Sequence, residues 1–149
     1  FGGEIVESNV LLPVIGKDDA PFFEAAKVGE LRIQQCVDCA RLRHPPRPMC
    51  PWCHSVQSKW TLMSGHGTIW SFVVPHPPLL MQFVDLSPYN VIVVVLDEDP
   101  KIRLIGNLVA RAGDPINGID PATIRIGDSV QVVFDEVSED VSLPRWVRV

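Results

Sequence analysis

Residues 36–53 read CVDCARLRHPPRPMCPWC. Two C-x-x-C pairs, Cys36 with Cys39 and Cys50 with Cys53, stand ten residues apart. A C-x-x-C knuckle lets two sulfurs converge on one ion, and two knuckles complete a tetrahedral shell of four sulfurs. Pro45, Pro46 and Pro48 stiffen the hairpin between them. The close paired spacing argues against two disulfides. So does the start, Phe1-Gly2-Gly3-Glu4, which lacks the basic end and apolar stretch of a secretion signal. A reduced, cytoplasmic protein is the expectation.

A four-thiolate shell favours zinc, although the same geometry also admits iron, as in rubredoxin. Rubredoxin-type knuckles place glycine just after the second cysteine. Here those positions are Ala40 and His54, which weakens the redox reading. His44 and His54 lie nearby, but four sulfurs already fill the shell. A metal with four protein ligands keeps no open position for water, so the site is expected to fold the ribbon rather than to catalyse.

Outward from the knuckles the next feature is charge. Arg41, Arg43, His44 and Arg47 crowd the hairpin. They form either a solvated face or a grip for phosphate, whose oxygens match the arginine fork. Residues 27–60 hold six Lys/Arg and two acids, whereas the whole chain carries a net −5. The acidic total argues against a general nucleic-acid binder. Trp52, inside the second knuckle, is read as a partner contact or as packed against the rest of the chain.

Three regions follow: a linker or arm over 1–17, a helix and metal ribbon over 18–62, and a barrel over 63–149. Asp18-Asp19 offer N-cap oxygens, Pro21 suits a first turn, Phe22 and Phe23 dock the helix, and Gly29 suits its C′ position. Leu31 to Gln35 reads as a short strand. Beyond Ser64-Gly65-His66-Gly67, five strands are expected at 68–74, 90–96, 103–109, 129–134 and 143–149, the last an edge because of Pro144. The Val/Ile run of 90–96 predicts burial on both faces. Five short strands with turns between them fit an OB-type barrel. Trp70 and Phe72 share a strand face, expected in the core rather than stacking bases.

The Pro-rich loop 75–89 carries Leu79, Leu80, Met81 and Phe83. It marks a partner surface or folds back as a lid. No run of 18 apolar residues exists to span a membrane. No G-x-S-x-G, H-E-x-x-H or Walker loop is present. Asp97 and Asp99 read as a solvated turn.

Together these pieces resemble a known group. Phe22-Phe23, Gly29-Glu30-Leu31, the two knuckles, Pro45-Pro46-Arg47, Ser64-Gly65-x-Gly67, Pro88-Tyr89, Gly106-Asn107, Gly127-Asp128-x-Val130, Val133-Phe134 and Leu143-Pro144 are similar to the zinc-ribbon/OB-fold family once catalogued as domain of unknown function 35. The likeness covers about residues 21–149. Ala40, His54 and a longer 112–123 loop depart from it.

The resemblance implies a non-catalytic subunit that docks on thiolase-superfamily enzymes and helps handle acyl-CoA. Some members lie behind a hot-dog-fold hydratase domain in steroid side-chain degradation and pair with a lipid-transfer-protein-like aldolase. The Met-less start suits such an excised domain. A hetero-oligomer is expected, cleaving a β-hydroxyacyl-CoA with the acid and base on the partner. Two other classes stay open: a single-stranded nucleic-acid OB module and a rubredoxin-like electron carrier.

Overall fold

The computed structural model describes residues 10–149, so the first nine residues of the expected arm lie outside the described residues. The fold is mainly β with one substantial helix, α1 (Ala20–Lys27). Asp19 occupies the N-cap position, yet its carboxylate accepts the Gly16 N–H at 2.7 Å and caps nothing in the helix. Its backbone is already in the right-handed helical region, which turns the side chain away from the N2 and N3 amides. Gly29 ends the helix at φ +78, with its N–H donating to Ala26 and the Glu30 N–H to Ala25. That pair of bonds needs a left-handed C′ residue, so glycine is suited there.

A small antiparallel sheet follows, β2 (Leu42–Arg43), β1 (Arg32–Cys36) and β3 (Ser58–Leu62) in that spatial order. β3 was not expected: its outward polar residues hide the strand period. Five longer strands then form the second sheet: β4 (His66–Val73), β5 (Val91–Leu96), β6 (Arg103–Gly106), β7 (Ser129–Glu136) and β8 (Ser142–Arg148). Their order is β6-β5-β4-β7-β8, all antiparallel. All five lie close to the expected spans. The sheet curls until its two edges meet, where Leu108 bridges Trp146 in parallel. This is the OB arrangement. Pro144 sits on β8, an edge of the antiparallel ladder.

Ribbon and barrel share one core. Phe22, Leu31 and Ile33 from the helix and β1 pack with Ile69, Ile92, Leu104 and Trp146 from the barrel. Gly67 lets β4 and β5 approach closely: a Cβ there would lie 2.5 Å from the Val95 carbonyl oxygen. A β-bulge between Ile69 and Ser71 then separates the two aromatics. Phe72 packs against the core, whereas Trp70 turns outward beneath the Arg103 guanidinium, 3.9 Å from its ring centroid. The expectation of two core aromatics is corrected by that one extra residue. β5 is also corrected. Ile92, Val94 and Leu96 are buried, but Val91, Val93 and Val95 are only half-covered, Val91 by the second cluster around Tyr89.

Among the described residues no helix is long and apolar enough to cross a membrane. Loop 75–89 contains a single helical turn, α2 (Met81–Val84). Leu79 and Phe83 pack on a second cluster around Tyr89, Val109 and Ile116, while Leu80 and Met81 stay exposed. The loop is thus part lid and part surface.

Barrel closure rests on a buried amide. Asn90 donates to the Leu108 carbonyl at 3.0 Å and accepts the Leu108 N–H at 2.7 Å. Asn107 donates to the Asn90 carbonyl at 2.6 Å and accepts from Arg145 of β8 at 2.8 Å. These bonds fix 107–108 beside the start of β5, and across to β8 the Val109 N–H donates to the Trp146 carbonyl and the Trp146 N–H to the Asn107 carbonyl. Asn90→Ala leaves a buried N–H and carbonyl of Leu108 without partners. The expected cost is about 3 kcal/mol, read as a lower urea midpoint at unchanged m-value.

Candidate functional site

The ligating sulfurs of Cys36, Cys39, Cys50 and Cys53 all lie within 4.8 Å of one another. Each knuckle is closed by a backbone bond across it: Ala40 N–H to the Cys36 carbonyl at 3.0 Å and His54 N–H to the Cys50 carbonyl at 2.9 Å. Both Ala40 (φ 62) and His54 (φ 63) take the left-handed conformation. The geometry that favours glycine is therefore kept, and two residues with a Cβ adopt it. Histidines do not join the cluster.

The thiols are tuned for a cation. The backbone N–H of Cys39, then the sulfur of Cys53, draw Cys36 below its ordinary value. Backbone N–H groups of Cys53 and Trp52 pull Cys50 down to about 6. Cys53 also receives a backbone N–H, from Ser55, yet the neighbouring sulfurs of Cys36, Cys50 and Cys39 push it up to about 12. Four such sulfurs cannot all be thiolates unless a cation sits among them. The donor set fits a tetrahedral dication, and zinc would bind it with no coordination position left over. Such an ion supplies folding energy to the ribbon and no activated water.

Beside the knuckles the hairpin and the β5–β6 turn enclose a cleft of about 500 Å³. Arg41, Arg43, His44 and Arg47 all line it, but the structure gives them different environments. Arg41 and Arg47 are exposed. His44 packs on Phe22 with ring centroids 5.8 Å apart, and burial lowers its pKa, so it is neutral near pH 7. Arg43 is only 3% exposed and does not belong to a solvated face. Its Nε donates to Gln34 Oε1 at 2.8 Å and its Nη2 to the Arg47 carbonyl at 3.0 Å. Gln34 Oε1 also accepts the Arg47 N–H, so the pair pins the hairpin shape. Trp52 is 49% exposed rather than packed on the barrel, with Arg41 5.3 Å from its ring centroid. Asp99 and Lys101 reach the cleft from the barrel side. Sequence reasoning missed them, because a turn 50 residues downstream carries no local mark of its neighbours.

With this geometry in view, the comparisons are specific. Residues 23–56 match the family described as "ChsH2, rubredoxin-like zinc ribbon domain", and residues 60–135 match "ChsH2, C-terminal OB-fold domain". The chain belongs to the ChsH2 (DUF35) family. It is 39% identical over 132 residues to a "probable enoyl-CoA hydratase alpha subunit" of Thermomonospora curvata, covering 89% of this chain and 38% of that protein. It is 34% identical over 137 residues to the "3-oxo-4,17-pregnadiene-20-carboxyl-CoA hydratase alpha subunit" of Mycobacterium tuberculosis, covering 92% and 40%. The chain thus spans about two fifths of the length of these two hydratase alpha subunits. A "DUF35 domain-containing scaffold protein" of Methanothermobacter thermautotrophicus is 35% identical over 107 residues, covering 71% and 72%. Among solved structures, a chain of the "Ltp2-ChsH2(DUF35) aldolase" superposes with TM-score 0.73 at 38% identity, covering 92% of this chain and 98% of that one. The metal reading is accordingly the zinc one.

Two outcomes follow for the metal centre. The purified chain should carry one zinc per polypeptide, and a strong chelator should lower its thermal midpoint by more than about 10 °C. Ala40→Gly should instead relieve left-handed strain and stabilise the zinc-loaded chain by about 0.5–1 kcal/mol in differential scanning calorimetry.

Proposed function

We propose that this chain is a non-catalytic, acyl-CoA-handling subunit that docks on a thiolase-superfamily aldolase acting in steroid side-chain degradation. The observation that carries the reading is the full-length likeness to the ChsH2 chain of an Ltp2-ChsH2 aldolase, at 38% identity over 98% of that chain. The Mycobacterium tuberculosis relative, named for a pregnadiene-carboxyl-CoA substrate, supports the steroid side. In the proposed reaction the β-hydroxyl of an acyl-CoA loses its proton to a base and the Cα–Cβ bond breaks. The electron pair stays on Cα as a thioester enolate, which is then protonated. Acid and base reside on the partner.

The chemistry of this chain supports an accessory role. A metal shell of four sulfurs has no position for substrate. The surface, by contrast, carries uncovered apolar groups suited to a protein partner. Met81 is 87% exposed, with Leu80 beside it. On the outer face of the barrel Trp70, Val73 and Ile105 are exposed next to half-covered Val91, Val93 and Val95. Leu79 and Phe83, packed inward, support the loop from below. Trp52 belongs to the ribbon cleft. Reduced, metal-binding thiols suit a cytoplasmic setting.

The test is co-expression with a thiolase-superfamily aldolase subunit. A stable hetero-oligomer should form, and Leu80→Glu with Met81→Glu should weaken it at least about tenfold without changing zinc content. The isolated chain should show no cleavage of β-hydroxyacyl-CoA. Turnover by the chain alone, or no complex with any such subunit, would refute the reading.

A further inference from the structure

We propose that the cleft between the ribbon hairpin and the β5–β6 turn is a binding site for a phosphorylated nucleotide. The phosphates would lie against Arg43, Arg47 and Lys101, and the planar base beside Trp52. The proposal deepens the acyl-CoA reading above, since coenzyme A ends in a 3′-phosphorylated adenosine diphosphate.

The decisive observation is Arg43. It is buried, and among the described residues no carboxylate lies within ion-pairing distance of it. Both of its hydrogen bonds go to neutral carbonyl oxygens. Its Nη1 has no partner at all. A buried cation without a counter-charge is costly, and such groups normally meet an anion. The half-buried arginines of β1 and the barrel each find one: Arg32 pairs with Glu30 and Arg145 with Asp135. Arg43 is the exception, and it lines the cleft.

The rest of the lining agrees in sign and shape. Arg41, Arg47 and Lys101 are exposed around the same space, on a chain whose net charge is −5. The single acid in the lining, Asp99, already accepts the Lys101 backbone N–H at 2.9 Å. Arginine forks and a lysine offer phosphate oxygens both bidentate and point contacts. Trp52 adds a half-exposed indole, which a metal oxyanion or a carboxylate would not use but a purine would. The volume, about 500 Å³, falls in the range of small-molecule sites.

The experiment titrates the zinc-loaded chain with adenosine 3′,5′-bisphosphate, pyrophosphate and inorganic phosphate in separate calorimetric runs at low salt. The bisphosphate should bind with a Kd on the order of 10–500 μM, tighter than pyrophosphate. Arg47→Ala and Lys101→Ala, both surface changes, should each weaken it about tenfold at unchanged zinc content and thermal midpoint. Trp52→Ala should reduce the bisphosphate's advantage over pyrophosphate. Absence of binding up to about 5 mM overturns the proposal. So does equal affinity for pyrophosphate, which removes the base, or unaltered binding in both cation variants, which moves the site elsewhere. Complex formation with the aldolase subunit is measured on the same variants. A complex that forms without nucleotide binding sinks this inference alone. Nucleotide binding without any complex sinks the subunit reading alone. Loss of the complex in Arg47→Ala without nucleotide binding assigns the anion to a carboxylate of the partner and also overturns the site.

Discussion

Four sulfurs within 4.8 Å set the constraint on which the N-terminal half depends. Repulsion among thiolates forbids the arrangement unless a dication neutralises it, so ribbon folding and metal binding are one event. The consequence reaches beyond the metal. Holding Cys39 and Cys50 together forces the ten residues between them into a tight hairpin. Gln34 of β1 then reads that hairpin from inside, accepting from both Arg43 and Arg47. A site without chemistry of its own thus builds the basic wall of the neighbouring cleft.

The second half is held by a different device. An OB barrel must bring its third and fifth strands together in parallel, where the antiparallel ladder offers no hydrogen bonds. Here the Val109 N–H donates to the Trp146 carbonyl and the Trp146 N–H to the Asn107 carbonyl, the side chains of Asn90 and Asn107 fix residues 107–108 beside the start of β5, and Arg145 ties Asn107 to β8. Burial lowers the Arg145 pKa, and Asp135 at 3.6 Å opposes that shift. Because Phe22, Leu31 and Ile33 enter the same core as Trp146, neither half is independent of the other. Metal loss is felt in the barrel as well as in the ribbon.

Much of this was legible in the sequence. The paired knuckles point to the ribbon, because two C-x-x-C pairs at this spacing are a local mark of a four-sulfur metal shell. The five barrel strands follow from alternation and turn residues, which are local signals. What was not legible was non-local. The bulge at Trp70 inserts one residue and turns that aromatic to solvent while Phe72 stays on the core. Arg43 resembles its neighbours in sequence, but β1 alone decides that it is the one pulled inside. Lys101 joins the cleft only once the barrel has curled its β5–β6 turn back onto the ribbon.

A continuous Val/Ile run signals a strand covered on both faces, and among the described residues one face of β5 is buried and the other half-covered. The outward residues are not scattered. Register places Val73 opposite Val91, and Val93 between Ser71 and Ile105, so the exposed apolar groups form one sheet surface. Water contact there gives the isolated chain no stability, and a lone barrel is well served by polar outward residues. Exposed Trp70, Val73 and Ile105 flank these valines, so the run builds an apolar outer sheet face, and sequence and structure differ at β5 in how far that face is covered.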